Sequence, residues 1–286
     1  MCRLFGFRSV IPSQVHRSLL AADNALGVQS NQHQDGWGVA FYVDGAPHIT
    51  RSPEFALGDQ LFHRLSGVVS SETVLAHVRR ATQGPKTVLN CHPFQYGRWV
   101  FAHNGDIPNF ADKRNALLAE VAPRLRRFVL GDTDSEVVFF VFLSHLSGFG
   151  PLSRRHAVAD VETALSATVR RVREVCDEGD DKRSLLTMIA TDGDTLAAVH
   201  GGKELFWSSY KTRCSDRDAC PSLSPECEAP SNTGFVNHLI LSSEPLSGEN
   251  VWLPLEEGDI IGVDWRMQVL RGHTTRTQLP MASGAS

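Results

Sequence analysis

Alternating and short apolar runs occupy both ends of the chain, and helical periodicities occupy its middle. Residues 3–9 and 37–43, the latter reading Trp-Gly-Val-Ala-Phe-Tyr-Val, predict strands bounded by turn signals at 27–36 and at Asp44-Gly45. Residues 73–79 and 98–103 are also strand-like, and each run ends in a polar cluster. Residues 111–127 predict a helix with Leu117, Leu118, Val121 and Leu125 on one side. Asp134-Ser135-Glu136 opens a second helix to about 146, so apolar that it must be buried. A third helix covers 155–176, where Val158, Val161, Leu165, Val169 and Val172 recur at helical spacing and Arg170, Arg171 and Arg173 form the solvated face. Strand patterns then return at 185–191, 195–200, 204–207, 235–242, 259–263 and 267–271, with hairpin turns at Asp192-Gly193 and Gly201-Gly202. Strands, then helices, then strands predict two packed sheets with helices outside, not a βαβ repeat. Residues 2–272 are expected to form one domain. The polar, Pro- and Ser-rich stretch 208–234 is expected to be an exposed loop insertion, and 273–286 a flexible tail.

Composition narrows the class without naming an activity. The 286 residues are 42% hydrophobic and 21% charged, as in ordinary globular proteins, so disorder is excluded. The formal net charge is -4 and the basic residues are scattered, which argues against a nucleic-acid partner. The longest apolar run, 137–143, is far too short to span a membrane. Arg3 and Arg8 interrupt the N-terminal segment, so no secretory signal is expected and a cytoplasmic setting is. In that setting the six cysteines should be reduced thiols.

Cys2 is the cysteine with chemical promise. Initiator methionine is normally removed before so small a residue, and Cys2 would then carry a thiol beside a free α-amine. That amine titrates at about 7.7–8.0, so its neutral form is available to take the thiol proton. One residue would supply both nucleophile and base. A buried, inert Cys at the start of a strand is the competing reading. Three further segments fit the same chemistry: 76–82 (Ala-His-Val-Arg-Arg-Ala-Thr), His103-Asn104-Gly105-Asp106 and 131–136 (Gly-Asp-Thr-Asp-Ser-Glu). An Asn side-chain amide beside a Gly N–H offers two donors to a developing oxyanion. Arg and Asp suit the carboxylate and ammonium of an amino-acid substrate. Taken singly, Asn-Gly is a common turn and Asp134 a plausible helix cap. His33, His77, His92 and His103 follow no zinc spacing, and Cys214, Cys220 and Cys227 are too far apart for metal knuckles, so no metal is expected.

Taken together these motifs resemble the class II, N-terminal-nucleophile glutamine amidotransferases across about residues 2–265. The resemblance lies in Met-Cys at the start, Ala-His-x-Arg-x-Ala-Thr at 76–82, Asn-x-His-Pro at 90–93, His-Asn-Gly at 103–105 and Thr-Asp-Ser-Glu at 133–136. The segments 33–38 (His-Gln-Asp-Gly-Trp-Gly) and 242–252 are further similar to the stand-alone YafJ-like branch, related to γ-glutamyl hydrolases of the ergothioneine pathway. The resemblance implies an α+β fold, the four-layer αββα sandwich of Ntn hydrolases. It implies Cys2 as nucleophile with its α-amine as base, and Asn104 with the Gly105 N–H as oxyanion hole. Arg79 would bind the substrate α-carboxylate, Asp134 the α-ammonium, and Thr82 and His92 would line the pocket. Arg80 and Gln83 depart from the aromatic and His common in synthase-linked members. The expected activity is cleavage of the γ-amide of glutamine or a γ-glutamyl compound through a Cys2 thioester, without a cofactor. There is no Walker A motif, so the acyl acceptor is water or ammonia passes to a separate synthase subunit. A non-catalytic Ntn-fold scaffold for such a synthase is the alternative.

Overall fold

The computed structural model describes residues 2–275 apart from 16, 180, 181, 216 and 219. Strands β1 (Arg3–Gln14), β2 (Trp37–Val43), β3 (Ala46–Ser52), β4 (Ser70–Val78), β5 (Phe94–Tyr96) and β6 (Trp99–Asp106) fill the first third. Helices α1 (Leu26–Gln29) and α2 (Gln60–Val68) lie among them. Helices α3 (Phe110–Glu120), α4 (Pro123–Arg126), α5 (Asp134–Leu146) and α6 (Val158–Cys176) follow. The chain ends in β7 (Leu185–Thr191), β8 (Leu196–Val199), β9 (Phe206–Ser208), β10 (His238–Ser242), β11 (Leu253–Pro254), β12 (Asp259–Val263) and β13 (Val269–His273).

The strands form two sheets, ordered β11-β9-β10-β1-β4-β2-β3 and β13-β12-β8-β7-β6-β5, with antiparallel pairing throughout. Because strand side chains alternate, each sheet has an inner and an outer set. Leu4, Ala40, Leu75, Val100, Ala102 and Ile189 meet between the sheets. Phe5, Val39, Val74 and Ala76 face outward with Phe62 of α2. Trp99, Phe101, Met188 and Ala190 face outward into α5 and α6. The result is the αββα sandwich expected from the order of elements. α5 is buried on nearly every side, as its composition required.

Several boundaries differ from the sequence reading. The helix expected at 111–127 is two helices, because Pro123 cannot continue the first and Val121 turns extended at φ -75° and ψ 130°. Strands β3 and β5 and helix α2 were not expected. β3 is a half-buried hairpin arm after Asp44-Gly45, so its apolar signal is weak. In the 208–234 segment, Ser208, Ser209 and Cys227 are buried, and Lys211 N–H donates to the Cys227 carbonyl. That stretch is therefore partly folded back on the sheet. His273 closes β13 opposite Asp259, so the sheet runs one residue into the expected tail. Residues 276–286 of that tail lie outside the described residues. Among the described residues no helix is long and apolar enough to cross a membrane.

Candidate functional site

Cys2 immediately precedes β1, and the strand's alternation turns its even-numbered residues inward, as Leu4 and Gly6 show. The thiol rests against the turn after β4: Arg80 N–H points to Sγ, and Sγ–H to the Arg80 carbonyl, both at 3.4 Å. Burial pushes this thiol above its ordinary value, against the opposing pull of the Arg80 backbone and the Arg79 charge; the Asp134 charge raises it further. Arg79 and Asp134 are thus both near enough for their charges to act on the same sulfur. That juxtaposition comes from 3 separate segments of chain.

The turn itself is clamped. Asp35 N–H donates to the Arg79 carbonyl at 3.0 Å, and Arg79 N–H to the Gly36 carbonyl at 2.8 Å. The Asp35 carboxylate then accepts the Ala81 N–H at 2.9 Å. Trp37 continues the anchoring from β2, donating to Asp59, whose carboxylate also caps α2. A side chain on Gly36 would sit 2.6 Å from Cys91 Sγ, and one on Gly38 would sit 2.1 Å from the His92 carbonyl. The sequence marks 33–38 only as a segment of resemblance and gives Asp35 no role. The structure makes it the brace of the Arg80 turn.

Arg79 and Asp134 both face protein partners. Arg79 is buried, and its Nη2 donates to Gln83 O at 2.8 Å and Gly84 O at 3.2 Å. Its Nη1 makes longer contacts of 3.3 Å and 3.5 Å with Pro85 O and Asp35 O. Asp134 accepts the Ile107 N–H on one oxygen and the Ser135 N–H and hydroxyl on the other. A carboxylate offers about four lone-pair positions, so one remains for a further donor. Burial pushes the Asp134 carboxyl up, partly offset by His103. Asp134 does not cap α5. Thr133 does, accepting the Glu136 N–H, while Glu136 reaches back to the Leu130 and Gly131 N–H groups. This is a variant of the capping box. It frees Asp134 for the site.

Asn104 and Gly105 lie at the end of β6, where β7 pairs on one side and β5 reaches only to Phe101 on the other. The Asn104 side chain makes no hydrogen bond within the described residues, and its Oδ1 is buried. Gly105 admits no side chain: a Cβ would lie 1.7 Å from Leu185 O and 2.3 Å from His103 Nε2. His103 Nε2 is 2.9 Å from Leu185 O, which can only accept, so Nε2 donates there. Its Nδ1 lies 2.9 Å from Ser135 Oγ, tying β6 to the start of α5.

Two expected pocket residues part company. Thr82 is exposed on the loop after β4. His92 is 3% exposed, its ring tilted against His77 at 4.1 Å and edge-on to Phe94 at 4.6 Å by ring centroids. Burial holds both imidazoles well below the usual histidine range, so both are neutral. His92 is as buried as Arg79, Asn104 and Asp134, each 3% exposed, and one face of its ring packs on His77. Asn90, which opens the 90–93 motif but was given no role, bridges the Pro85 carbonyl and the Asp132 N–H with its amide, joining the two loops that carry Arg79 and Asp134. Two open hollows, of about 900 Å³ near Phe149 and about 700 Å³ near His238, contain none of Cys2, Arg79, Asn104 or Asp134.

Comparison with known proteins identifies the family. The family described as "Glutamine amidotransferases class-II" matches residues 1–280. The putative glutamine amidotransferase YafJ of Escherichia coli is 23% identical over 93% of this chain and 97% of its own. The gamma-glutamyl-hercynylcysteine sulfoxide hydrolase of Mycobacterium tuberculosis is 36% identical over 37% of this chain and 49% of its own. Three other curated relatives are matched over 39% to 62% of their length. A solved class-II domain protein from Silicibacter pomeroyi shares the fold with a TM-score of 0.62, at 20% identity over 95% of this chain and 99% of its own. With the family matched from the first residues through β13, this chain belongs to the class II glutamine amidotransferases.

Proposed function

We propose that this protein hydrolyses γ-glutamyl amides through a thioester on Cys2. The observation that carries the reading is the seating of the Cys2 thiol within the fields of both Arg79 and Asp134. A γ-glutamyl group ends in a carboxylate and an ammonium on one carbon, and a nucleophile flanked by a cation and an anion matches it. After removal of Met1, the Cys2 α-amine takes the thiol proton and sulfur attacks the γ-carbonyl. Asn104 Nδ2 and the Gly105 N–H hold the oxyanion. The C–N bond then breaks, the leaving amine takes its proton from the α-ammonium, and water cleaves the thioester to release glutamate and the free thiol.

Arg79 grips the α-carboxylate by exchanging its longer carbonyl contacts, those to Pro85 and Asp35, for a bidentate pair. The remaining acceptor position of Asp134 takes the ammonium. Thr82 on its exposed loop closes the side of the pocket. The name of the mycobacterial relative favours a γ-glutamyl conjugate over glutamine as substrate, with water as acceptor.

A parallel assay of glutamate release from glutamine and from γ-glutamyl peptides, with Cys2→Ser as control, tests this. Turnover of a γ-glutamyl peptide at least about tenfold above glutamine in kcat/KM, lost in the variant, is expected. Preference for glutamine would make the protein an ammonia donor. No glutamate from any substrate would favour a scaffold for a partner synthase.

A further inference from the structure

The layer between the two sheets is apolar almost throughout, built from Leu4, Ala40, Leu75, Val100, Ala102, Ile189 and their neighbours. At the end nearest Cys2 it changes character. The alternation that sends Leu75 inward on β4 also sends His77 inward, and that of Val100 and Ala102 on β6 sends Asn104 inward. His92 stacks on His77 from the segment that passes Gly38 of β2. Both nitrogens of His77, both nitrogens of His92 and the Oδ1 of Asn104 are buried with no hydrogen-bond partner among the described residues. The buried polar atoms of a folded protein are almost always paired, and Asn104 Oδ1 together with one nitrogen of each ring makes a set that one shared partner can serve.

The chemistry of those atoms defines the partner. Each neutral imidazole has one N–H to give and one lone pair to fill. The two rings, tilted by 38° at 4.1 Å between centroids, stack rather than bond to each other. Asn104 Oδ1 can only accept. What serves all three is a small molecule with two donors and two acceptors, and buried waters typically make about three hydrogen bonds.

We propose that His77 and His92 are positioning residues that hold an internal water beneath the nucleophile, and that this water donates to Asn104 Oδ1 and so fixes the direction of the Asn104 amide. With Oδ1 bonded inward, Nδ2 is directed to the reacting carbonyl. The flipped amide would instead turn an acceptor toward the developing oxyanion. Two residues that never touch substrate thus decide whether the oxyanion hole presents a donor. The inference rests on the proposed role of Asn104 and extends it.

The test is a kinetic double-mutant cycle on the full chain. His77→Phe and His92→Phe keep ring volume and remove the nitrogens. Each is expected to lower kcat about 10- to 100-fold with KM unchanged within about twofold, a fraction of the loss on deleting an oxyanion donor outright. In an Asn104→Ala background, His77→Phe is expected to change kcat less than about twofold, because the group it orients is gone. A merely structural role would instead give losses that add, and additive losses or fully active variants overturn the proposal. If either Phe variant does not fold, His77→Leu and His92→Leu, which also remove the nitrogens, enter the same cycle. A high-resolution crystal structure of the wild-type protein decides independently of turnover. Density for a water within hydrogen-bond distance of Asn104 Oδ1 and of either imidazole supports the site, and an apolar contact there overturns it. If the wild-type enzyme cleaves no γ-glutamyl substrate, the proposed function fails and this crystallographic result alone judges the water site.

Discussion

The Asp35 carboxylate accepts the Ala81 N–H at 2.9 Å, so a residue from the loop before β2 fixes the turn on which the Cys2 thiol rests. Asp35→Ala is expected to lower kcat/KM at least about tenfold while destabilising the fold by only about 1–2 kcal/mol, the scale of one lost charge-assisted bond. Urea unfolding beside γ-glutamyl hydrolysis checks the split. A loss of stability matched by no loss of activity would show that the brace is merely structural.

Gly105→Ala places a methyl group 1.7 Å from Leu185 O, a backbone atom that cannot swing aside. β6 must then separate from β7 or the His103–Leu185 bond must break. A destabilisation above about 3 kcal/mol is expected, beyond the usual overpacking range because the clash is with main chain. Denaturant titration measures it, and an Ala variant of wild-type stability would contradict the geometry.

The pH profile should report the base. Burial raises the Cys2 thiol, so its thiolate is scarce at neutral pH and alkylation of the resting protein by iodoacetamide should climb through and beyond pH 9. Turnover, driven by the neutral α-amine, should rise earlier, near pH 7.7–8.0 for an ordinary amine. Retaining one extra residue before Cys2 converts that amine to an amide and should abolish turnover. Activity in the extended protein would remove the N-terminal base from the mechanism.

Arg79→Lys keeps the charge but loses the planar fork that spans the carbonyls of Gln83 and Gly84. A rise in KM equivalent to about 2–3 kcal/mol is expected, with kcat changed less. Looser proteolytic protection of the 83–85 loop should accompany it. Unchanged kinetics would pass the carboxylate to another cation, and exposed Arg80 is the neighbour to examine.

Glu162 lies on α6 with Oε1 buried and unpartnered among the described residues, and burial pushes its carboxyl up to about 7. An unfolded glutamate titrates at about 4.3, so the native state holds an extra proton between the two values. Stability should therefore fall as pH rises through that window, with the full penalty, up to about 3 kcal/mol, present above pH 7. Glu162→Gln should raise the urea midpoint at pH 8 and leave it nearly unchanged near pH 4. An equal gain at both pH values would trace the effect to packing.

Sequence periodicity was sufficient for the layers because inward and outward sets alternate with the strand and helix repeats. Val137 to Leu143 declared α5 buried, and Val158 to Val172 declared one face of α6. The helix written across 111–127 failed at Pro123, where a missing N–H outweighed the apolar stripe on either side. β3 was hard to see because a half-buried edge arm has too few apolar positions to register.

The motif residues were likewise readable as candidates, since Cys, Arg, Asn-Gly and Asp each carry one chemistry wherever they stand. Their assembly was not. That Thr133 and Glu136 cap α5 and release Asp134 depends on which N–H groups come within reach, a matter of distance after folding. That His92 packs on His77 follows from where the segment after Cys91 crosses Gly38, which no local pattern encodes. Periodicity determines which face of an element is apolar, because that is a property of neighbours along the chain. Only the packing of β1, β4, β6 and α5 brings Cys2, Arg79, Asn104 and Asp134 to one end of the sandwich, because contacts between residues so far apart in sequence are set by the fold as a whole.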